Sequence, residues 1–376
     1  MFTKLSITAF SVIVALVASV NDRALAQECR APAAVCAAKS SVAKISSYEP
    51  IGSAVIIDEG VLVTNRHMVA DNQSVELTLP GGAKFNAAVV PNDFAGDLVL
   101  LLVGDAKIPS SIEIKDVDMS GDLYVIGFDV GRQDIRVYEP GRLIAPIADT
   151  PHARFHHNAR SLPGNSGGAL VNSNGHLVGF ATSGGEGRNE AIPISALERL
   201  LASSGPNKLE ASNRIGEMYR LCGTHLDRLR GSRGPMPPSE AVELSDVCLA
   251  TKNRQLIDLA GQALGMRRDT DRSIALLRHS YAIDPNAPNT IISLAIAYHI
   301  AGRFKDEIPV LYRGLELIPD EPQLLRLALQ AGIWGGDQAL ADMAIKRIET
   351  VMPEMALAAR NFYNAAPPAP RLRPPG

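Results

Sequence analysis

The chain has 376 residues, longer than one small domain needs, and suggests two. A hydrophobic content of 46% with 20% charged residues is ordinary for a soluble globular protein. A formal net charge of −3, with no run of Lys or Arg, argues against a nucleic-acid partner.

The first 26 residues read as an export signal. Lys4 supplies a positive start, the stretch from Leu5 to Val20 is almost wholly apolar, and Ala24-Leu25-Ala26 forms an A-x-A cleavage site. The mature chain is expected to begin near Gln27, in the periplasm or outside the cell. An uncleaved anchor is the alternative, but the stretch is short for a membrane span, and no later segment is long and apolar enough. The four cysteines, Cys29, Cys36, Cys222 and Cys248, are an even count in an exported chain. Their grouping suggests Cys29–Cys36 and Cys222–Cys248 among three connectivities. No zinc-spaced His/Cys cluster is present, and no metal or cofactor is expected.

From about Val42 to Pro193 short apolar or alternating runs, among them "GSAVII", "GVLVT", "SVELTL", "DLVLLLV", "DLYVIGF" and "HLVGFAT", are broken by Gly, Asn, Asp and Pro. Asn174-Gly175 between "ALVNS" and "HLVGF" predicts a hairpin. Many short strands without alternating helices argue for a barrel or sandwich. The period changes near Ser195, where "SALERLLAS" predicts a helix with Ser195 as N-cap, followed by a linker "SSGPNK" over 203–208.

Beyond the linker the pattern is helical. Segments 208–229 and 239–250 form one predicted antiparallel helix pair around "GSRGPMPP", a loop that lies midway between Cys222 and Cys248 and supports their pairing. Pro285, Pro319 and Pro353 then recur every 34 residues. Aligned on that period, Ile257, Ile291 and Leu325 coincide, as do Leu277, Leu311 and Ile345, and the small residues Ser280 and Gly314. The middle unit, with Leu294, Ala295, Tyr298, Gly302, Phe304, Gly314 and Pro319, resembles the tetratricopeptide pattern. The third unit departs at Leu329, Gly332 and Ile348, as a degenerate capping repeat would. Such units bury their apolar faces only by stacking on one another. The ending "APPAPRLRPPG" is Pro-rich and predicted to be disordered.

Three stretches of the β-region carry candidate chemistry. "RSLPGNSGGAL" sets Ser166 among Gly164, Gly167 and Gly168 just before an apolar run. A serine hydroxyl is a poor nucleophile without a base and a stabilised oxyanion. His67, in "VLVTNRHMVA", stands where an apolar strand ends, the position at which a fixed loop presents a reactive group. Asp97, in "AGDLVLLLV", opens a buried strand, where a carboxylate needs a partner, and an imidazole base needs such a carboxylate to hold its tautomer.

Together "TNRH", "GDLVLL" and "GNSGGAL", in that order, resemble the trypsin-like serine proteases, particularly the exported bacterial HtrA/Deg type. The resemblance covers roughly 45–200, and "AIPIS" before the closing helix fits it. It implies two six-stranded antiparallel barrels with a site in the cleft between them. It casts Ser166 as nucleophile, His67 as general base and then acid, Asp97 as its orienter, and the backbone N–H groups of Gly164 and Ser166 as the oxyanion hole. Met68 stands where animal trypsins have a cysteine, and Asn165 replaces the aspartate that captures a new N-terminus, so no trypsin-style zymogen switch is expected. Arg160 and Ser161 give no acidic pocket floor, and Ala181 stands where glutamate-specific relatives carry histidine, which favours a small or apolar residue before the cleaved bond. His152, His156 and His157 lack ligand-spaced carboxylates and read as surface or strand residues.

The expected architecture is therefore multidomain β + α: a signal peptide (1–26), a trypsin-like double antiparallel β-barrel (27–203), an α-helical TPR-like repeat domain (208–355) and a Pro-rich tail (365–376). The expected function is that of an exported serine endopeptidase acting on protein or peptide substrates through an acyl-enzyme, with a protein partner or substrate on the repeats. The barrel region is expected to fold and cleave short peptides without them. The alternatives are an inactive protease-like chaperone or a scaffold working through its repeats.

Overall fold

A computed structural model describes residues 29–104, 108–109, 111–115, 118–182, 184–185, 187–230 and 234–370. The expected signal peptide lies outside these residues. After a short helix α1 (Ala33–Ala38), six strands close into an antiparallel barrel: β1 (Val42–Ser46), β2 (Gly52–Asp58), β3 (Val61–Thr64), β4 (Ser74–Thr78), β5 (Lys84–Val89) and β6 (Val99–Leu102). Their order around the barrel is β1-β2-β3-β6-β5-β4, and the one-turn helix α2 (Arg66–Val69) follows β3.

The apolar strands are explained by burial on both faces. Ala43, Ile45, Ala54, Ile56, Leu62 and Leu101 share the core of this barrel. Their alternating neighbours Val42, Val55, Val63 and Leu100 pack instead with Ile126, Phe128, Val171 and Phe180 of the second sheet. The two β-units thus share a continuous core.

The second unit comprises β7 (Leu123–Asp129), β8 (Asp134–Val137), β9 (Leu143–Ala145), β10 (Phe155–His157), β11 (Ala169–Asn172), β12 (Leu177–Ala181) and β13 (Asn189–Pro193). With the first barrel it makes up the expected double antiparallel β-barrel, here as a barrel and a half-barrel: its order is β8-β7-β11-β12-β13-β10-β9, a seven-stranded sheet where six closed strands were expected. Among the described residues, the isolated bridge Leu123–Gly141 ties β7 to the segment before β9 and curls the sheet round. The Asn174-Gly175 hairpin joins β11 to β12 as expected. Helix α3 (Ala196–Ala202) closes the unit; Ser195 occupies its N-cap position but makes no side-chain capping bond.

Among the described residues nine helices follow: α4 (Leu209–Arg230), α5 (Pro238–Ala250), α6 (Arg254–Met266), α7 (Thr270–Ile283), α8 (Pro288–Ile300), α9 (Phe304–Leu317), α10 (Pro322–Gly335), α11 (Gln338–Val351) and α12 (Pro353–Ala365). The first helices of three successive pairs begin at 254, 288 and 322, and the second at 270, 304 and 338. The 34-residue period is therefore a period of helix pairs. Gly314 shows why its position must be small, since a Cβ there would meet Leu324 Cδ1 at 2.7 Å and Ile291 Cγ2 at 2.9 Å. The third pair is complete, and α12 covers it with Phe362 and Tyr363, so the helical region runs to Ala365 and not to 355. Cys222 and Cys248 bridge α4 to α5 with a Cα–Cα distance of 5.0 Å, and Cys29 bonds Cys36.

The segment 203–208 is no free tether. Asp93 N–H donates to Ser203 O, Gly205 N–H to Pro91 O, and Pro206–Lys208 form a 3-10 turn. The helices dock on the β-units through buried polar contacts. Arg154 pairs with Glu190 at 2.9 Å, and Arg254 of α6 meets the same carboxylate. His156 Nε2 lies 2.8 Å from Asp284 Oδ2, so its carboxylate partner comes from 128 residues away, and it is a buried interface residue.

Candidate active site

Strand ends bring the three expected residues together. β3 leads into α2 and places His67; the turn before β6 places Asp97; the turn before β11 places Ser166. His67 Nδ1 lies 2.7 Å from Asp97 Oδ2, and the His67 backbone N–H donates to Asp97 Oδ1 at 2.9 Å. Asn65 Nδ2 and the Arg66 N–H both donate to the Asp97 carbonyl, which locks the two strand ends together. The Asp97 side chain is fully buried while that of His67 remains 20% exposed. Burial is the strongest influence on the Asp97 carboxyl and raises its pKa. The His67 charge and hydrogen bonds, with Arg154, outweigh it and hold the carboxyl below its ordinary value.

The Ser166 hydroxyl donates to the backbone carbonyl of Thr182 at 3.1 Å. Thr182, just past β12, in turn donates its own hydroxyl to Asp97 Oδ2 at 3.1 Å. This residue was not singled out by sequence, although it ends the "HLVGFAT" run; half its contribution is a backbone carbonyl, which no residue type encodes.

The turn around Ser166 is rigid. Gly164 has φ +99° and Gly167 φ +80°, conformations that favour glycine. At Gly167 a Cβ would also lie 2.2 Å from Ser53 O and 2.3 Å from Thr64 Oγ1. Ser53, a second residue that sequence did not mark, donates its hydroxyl to Gly164 O and its N–H to Ser166 O, both at 2.8 Å. Buried Asn165 donates from Nδ2 to Phe128 O and accepts from Leu162 N–H, a structural post inside the loop. Among the described residues, the N–H groups of Gly164 and Ser166 have no backbone acceptor.

Of the other residues weighed, Ala181 is buried beside this turn, its carbonyl accepting from Gly167 N–H. Arg160 faces solvent 3.5 Å from Glu139. The helical half also reaches the site. Arg66, next to His67, is buried and donates to Ser212 Oγ of α4 at 3.1 Å and to Asn92 Oδ1 at 2.8 Å. Tyr219 of α4 is buried, and burial first, then the negative Asp97, push its hydroxyl pKa up.

Residues 52–180 match the family described as the trypsin-like peptidase domain. The chain is similar to the periplasmic serine endoprotease DegP of Salmonella typhimurium, with 27% identity over 276 residues, 64% of this chain and 56% of that protein. It is 32% identical over 175 residues to a probable serine protease do-like of Buchnera aphidicola, covering 42% of this chain and 36% of that protein. The solved HtrA-type protease AlgW with tripeptide is 28% identical, with a TM-score of 0.40, over 45% of this chain and 62% of that one. The chain thus spans about half the length, or less, of these curated relatives.

Proposed function

We propose that this chain is an exported serine endopeptidase in which Ser166, His67 and Asp97 form the catalytic triad. The observation that carries the reading is the buried Asp97 carboxylate on His67 Nδ1 at 2.7 Å, because it leaves Nε2 as the basic nitrogen of the ring. Ser166 reaches that nitrogen by rotating from the Thr182 carbonyl, giving up one hydrogen bond worth about 1 kcal/mol net. His67 then takes the hydroxyl proton as Ser166 Oγ attacks the peptide carbonyl. The Gly164 and Ser166 N–H groups receive the developing oxyanion. His67 passes the proton to the leaving amine, and water, activated by the same imidazole, releases the acyl group from Ser166. Asp97 stays ionised throughout and stabilises the imidazolium. Buried Ala181 offers no charge to select an acidic residue, which favours a small or apolar residue before the cleaved bond. The TPR-like helix pairs serve as the second, binding half of the enzyme.

A second reading follows from the Ser166–Thr182 bond: a protease-like binding protein whose serine is held away from its base. A fluorophosphonate probe separates the two. Covalent labelling at Ser166, lost in Ser166→Ala and lowered by about 10⁴-fold or more in rate by His67→Ala, is the expected result. An unlabelled, folded protein would establish the binding reading instead.

A further inference from the structure

A groove of about 550 Å³ lies between the helix pairs and the loop that follows β12. Gly184, Gly185, Arg188 and Glu190 line its β-side, and α6, α7 and α8, with Gln323 of α10, line the rest. On the helical side Met266 is 76% and Ile300 52% exposed, and Ile296 also lines the groove. Among the described residues of the groove, four buried polar atoms lack partners: the donors Arg254 Nε and Ser273 Oγ, on residues 3% and 1% exposed, and the acceptors Gln255 Oε1 and Asp258 Oδ1. An unmade hydrogen bond of this kind is costly, so together they favour an incoming group that both donates and accepts, as a peptide main chain does.

The groove and the proposed triad meet in sequence at the end of β12. Ser166 Oγ touches the Thr182 carbonyl, and Gly184 and Gly185 lie only two and three residues beyond Thr182. Extended chain advances about 3.3 Å per residue, so Gly185 can lie at most about 10 Å, three residues of peptide, from Thr182. The direction follows from proton transfer. The leaving amine must lie on the His67 side to be protonated, so the acyl half of a substrate leads away from His67 along Thr182. A polypeptide on that course offers main-chain carbonyls to Arg254 Nε–H and Ser273, and apolar side chains to Met266, Ile296 and Ile300.

We infer that the groove binds the stretch of a polypeptide substrate N-terminal to the cleaved bond, beginning about three residues before it. The inference rests on the triad reading above, and makes the helix pairs a substrate-holding extension of the proposed active site.

The test uses the purified full chain and three fluorogenic peptides with the same three residues before the bond. One is short, one carries six further Leu-, Ile- and Ser-rich residues on the acyl side, and one carries them on the leaving side. Acyl-side extension is expected to raise kcat/KM by about tenfold or more, chiefly through KM, and leaving-side extension is not. Met266→Glu and Ile300→Glu should each cut the long-to-short ratio to below about three. In Ser166→Ala protein, fluorescence anisotropy should show the long acyl-side peptide binding about tenfold more tightly than the short one. Fluorophosphonate labelling at Ser166 without an acyl-side gain overturns the groove assignment and leaves the protease reading standing. A gain on the leaving side alone also overturns it. Failure to label and to cleave overturns both.

Discussion

The hydroxyl of Ser166 donates to the backbone carbonyl of Thr182 at 3.1 Å, and Thr182 links the same segment to Asp97 through its own hydroxyl. One residue thus touches both ends of the proposed triad, in different ways. The carbonyl would survive any substitution, whereas the hydroxyl would not.

Thr182→Val removes the hydroxyl donor to a fully buried carboxylate and keeps the shape. Asp97 then loses one of its hydrogen bonds, each worth about 1.5–3 kcal/mol to a charged group. The expected result is a fall in kcat of about tenfold or more with KM little changed, and recovery with Thr182→Ser. Steady-state kinetics on a short peptide check this, and equal losses in the Val and Ser variants would argue against a role for the hydroxyl.

How far the sequence could lead is clear from these same residues. His67, Asp97 and Ser166 were legible because each lies at the end of an apolar strand, and local pattern marks strand ends. The 34-residue helix pairs were legible because stacking repeats its small and apolar positions, as at Ile291 and Gly314. Thr182 and Ser53 act largely through backbone partners far away in sequence. The docking of the two halves was equally hidden. Arg154, Glu190, Arg254 and Asp284 sit at scattered positions, with no period to betray their convergence. For the same reason "SSGPNK" read as a linker: its composition signals a turn, but not the Asn92–Ser204 bridge that pins it.

His157 sets an expected acid sensitivity. It lies buried in β10; burial first, and then the neighbouring His156 charge, push its pKa down to about 4, against the opposing pull of Glu190. Above pH 6.5 the ring is neutral both folded and unfolded and costs nothing. As pH falls below 6.5 the unfolded chain takes up a proton that the folded chain refuses, so stability declines until the folded ring titrates near pH 4. Replacement by an apolar ring, His157→Phe, should therefore make the change in stability between pH 7 and pH 4.5 smaller by about 2–3 kcal/mol. Urea unfolding at the two pH values measures it. Parallel losses in both proteins would show that other groups govern the acid response.

The docking contacts change what a barrel fragment is expected to do. Residues 27–205 were expected to work alone, but that fragment lacks Tyr219, whose burial is coupled to Asp97, and Ser212, which receives Arg66 beside His67. Without them water gains access to the flank of the Asp97–His67 pair. Short-peptide kcat/KM for the fragment should fall by at least about tenfold relative to the full chain, provided circular dichroism shows it folded. Full-chain activity in a folded fragment would restore the independent-module view.

Glu190 is the carboxylate on which the interface turns. Burial is the largest influence on it and raises its pKa, yet Arg254, Arg154 and His156 together outweigh burial and hold it far below the ordinary carboxylate value. Glu190→Gln keeps the shape and removes the charge, leaving Arg154 and Arg254 buried without their shared counter-ion; Arg254 retains Asp258 at 2.8 Å. Breaking one side of a buried pair costs roughly 3–5 kcal/mol, so a loss of that order is expected at pH 7. The sign with pH also follows. A carboxylate depressed in the folded state stabilises fully above its unfolded pKa of about 4.3, and that contribution shrinks as pH falls below it. The gap between wild type and Glu190→Gln should therefore narrow on acidification from pH 5 to pH 3. Urea midpoints across that range provide the measurement. A gap below about 1 kcal/mol at pH 7, or one that widens in acid, would remove Glu190 as the electrostatic link between the β-units and the helices.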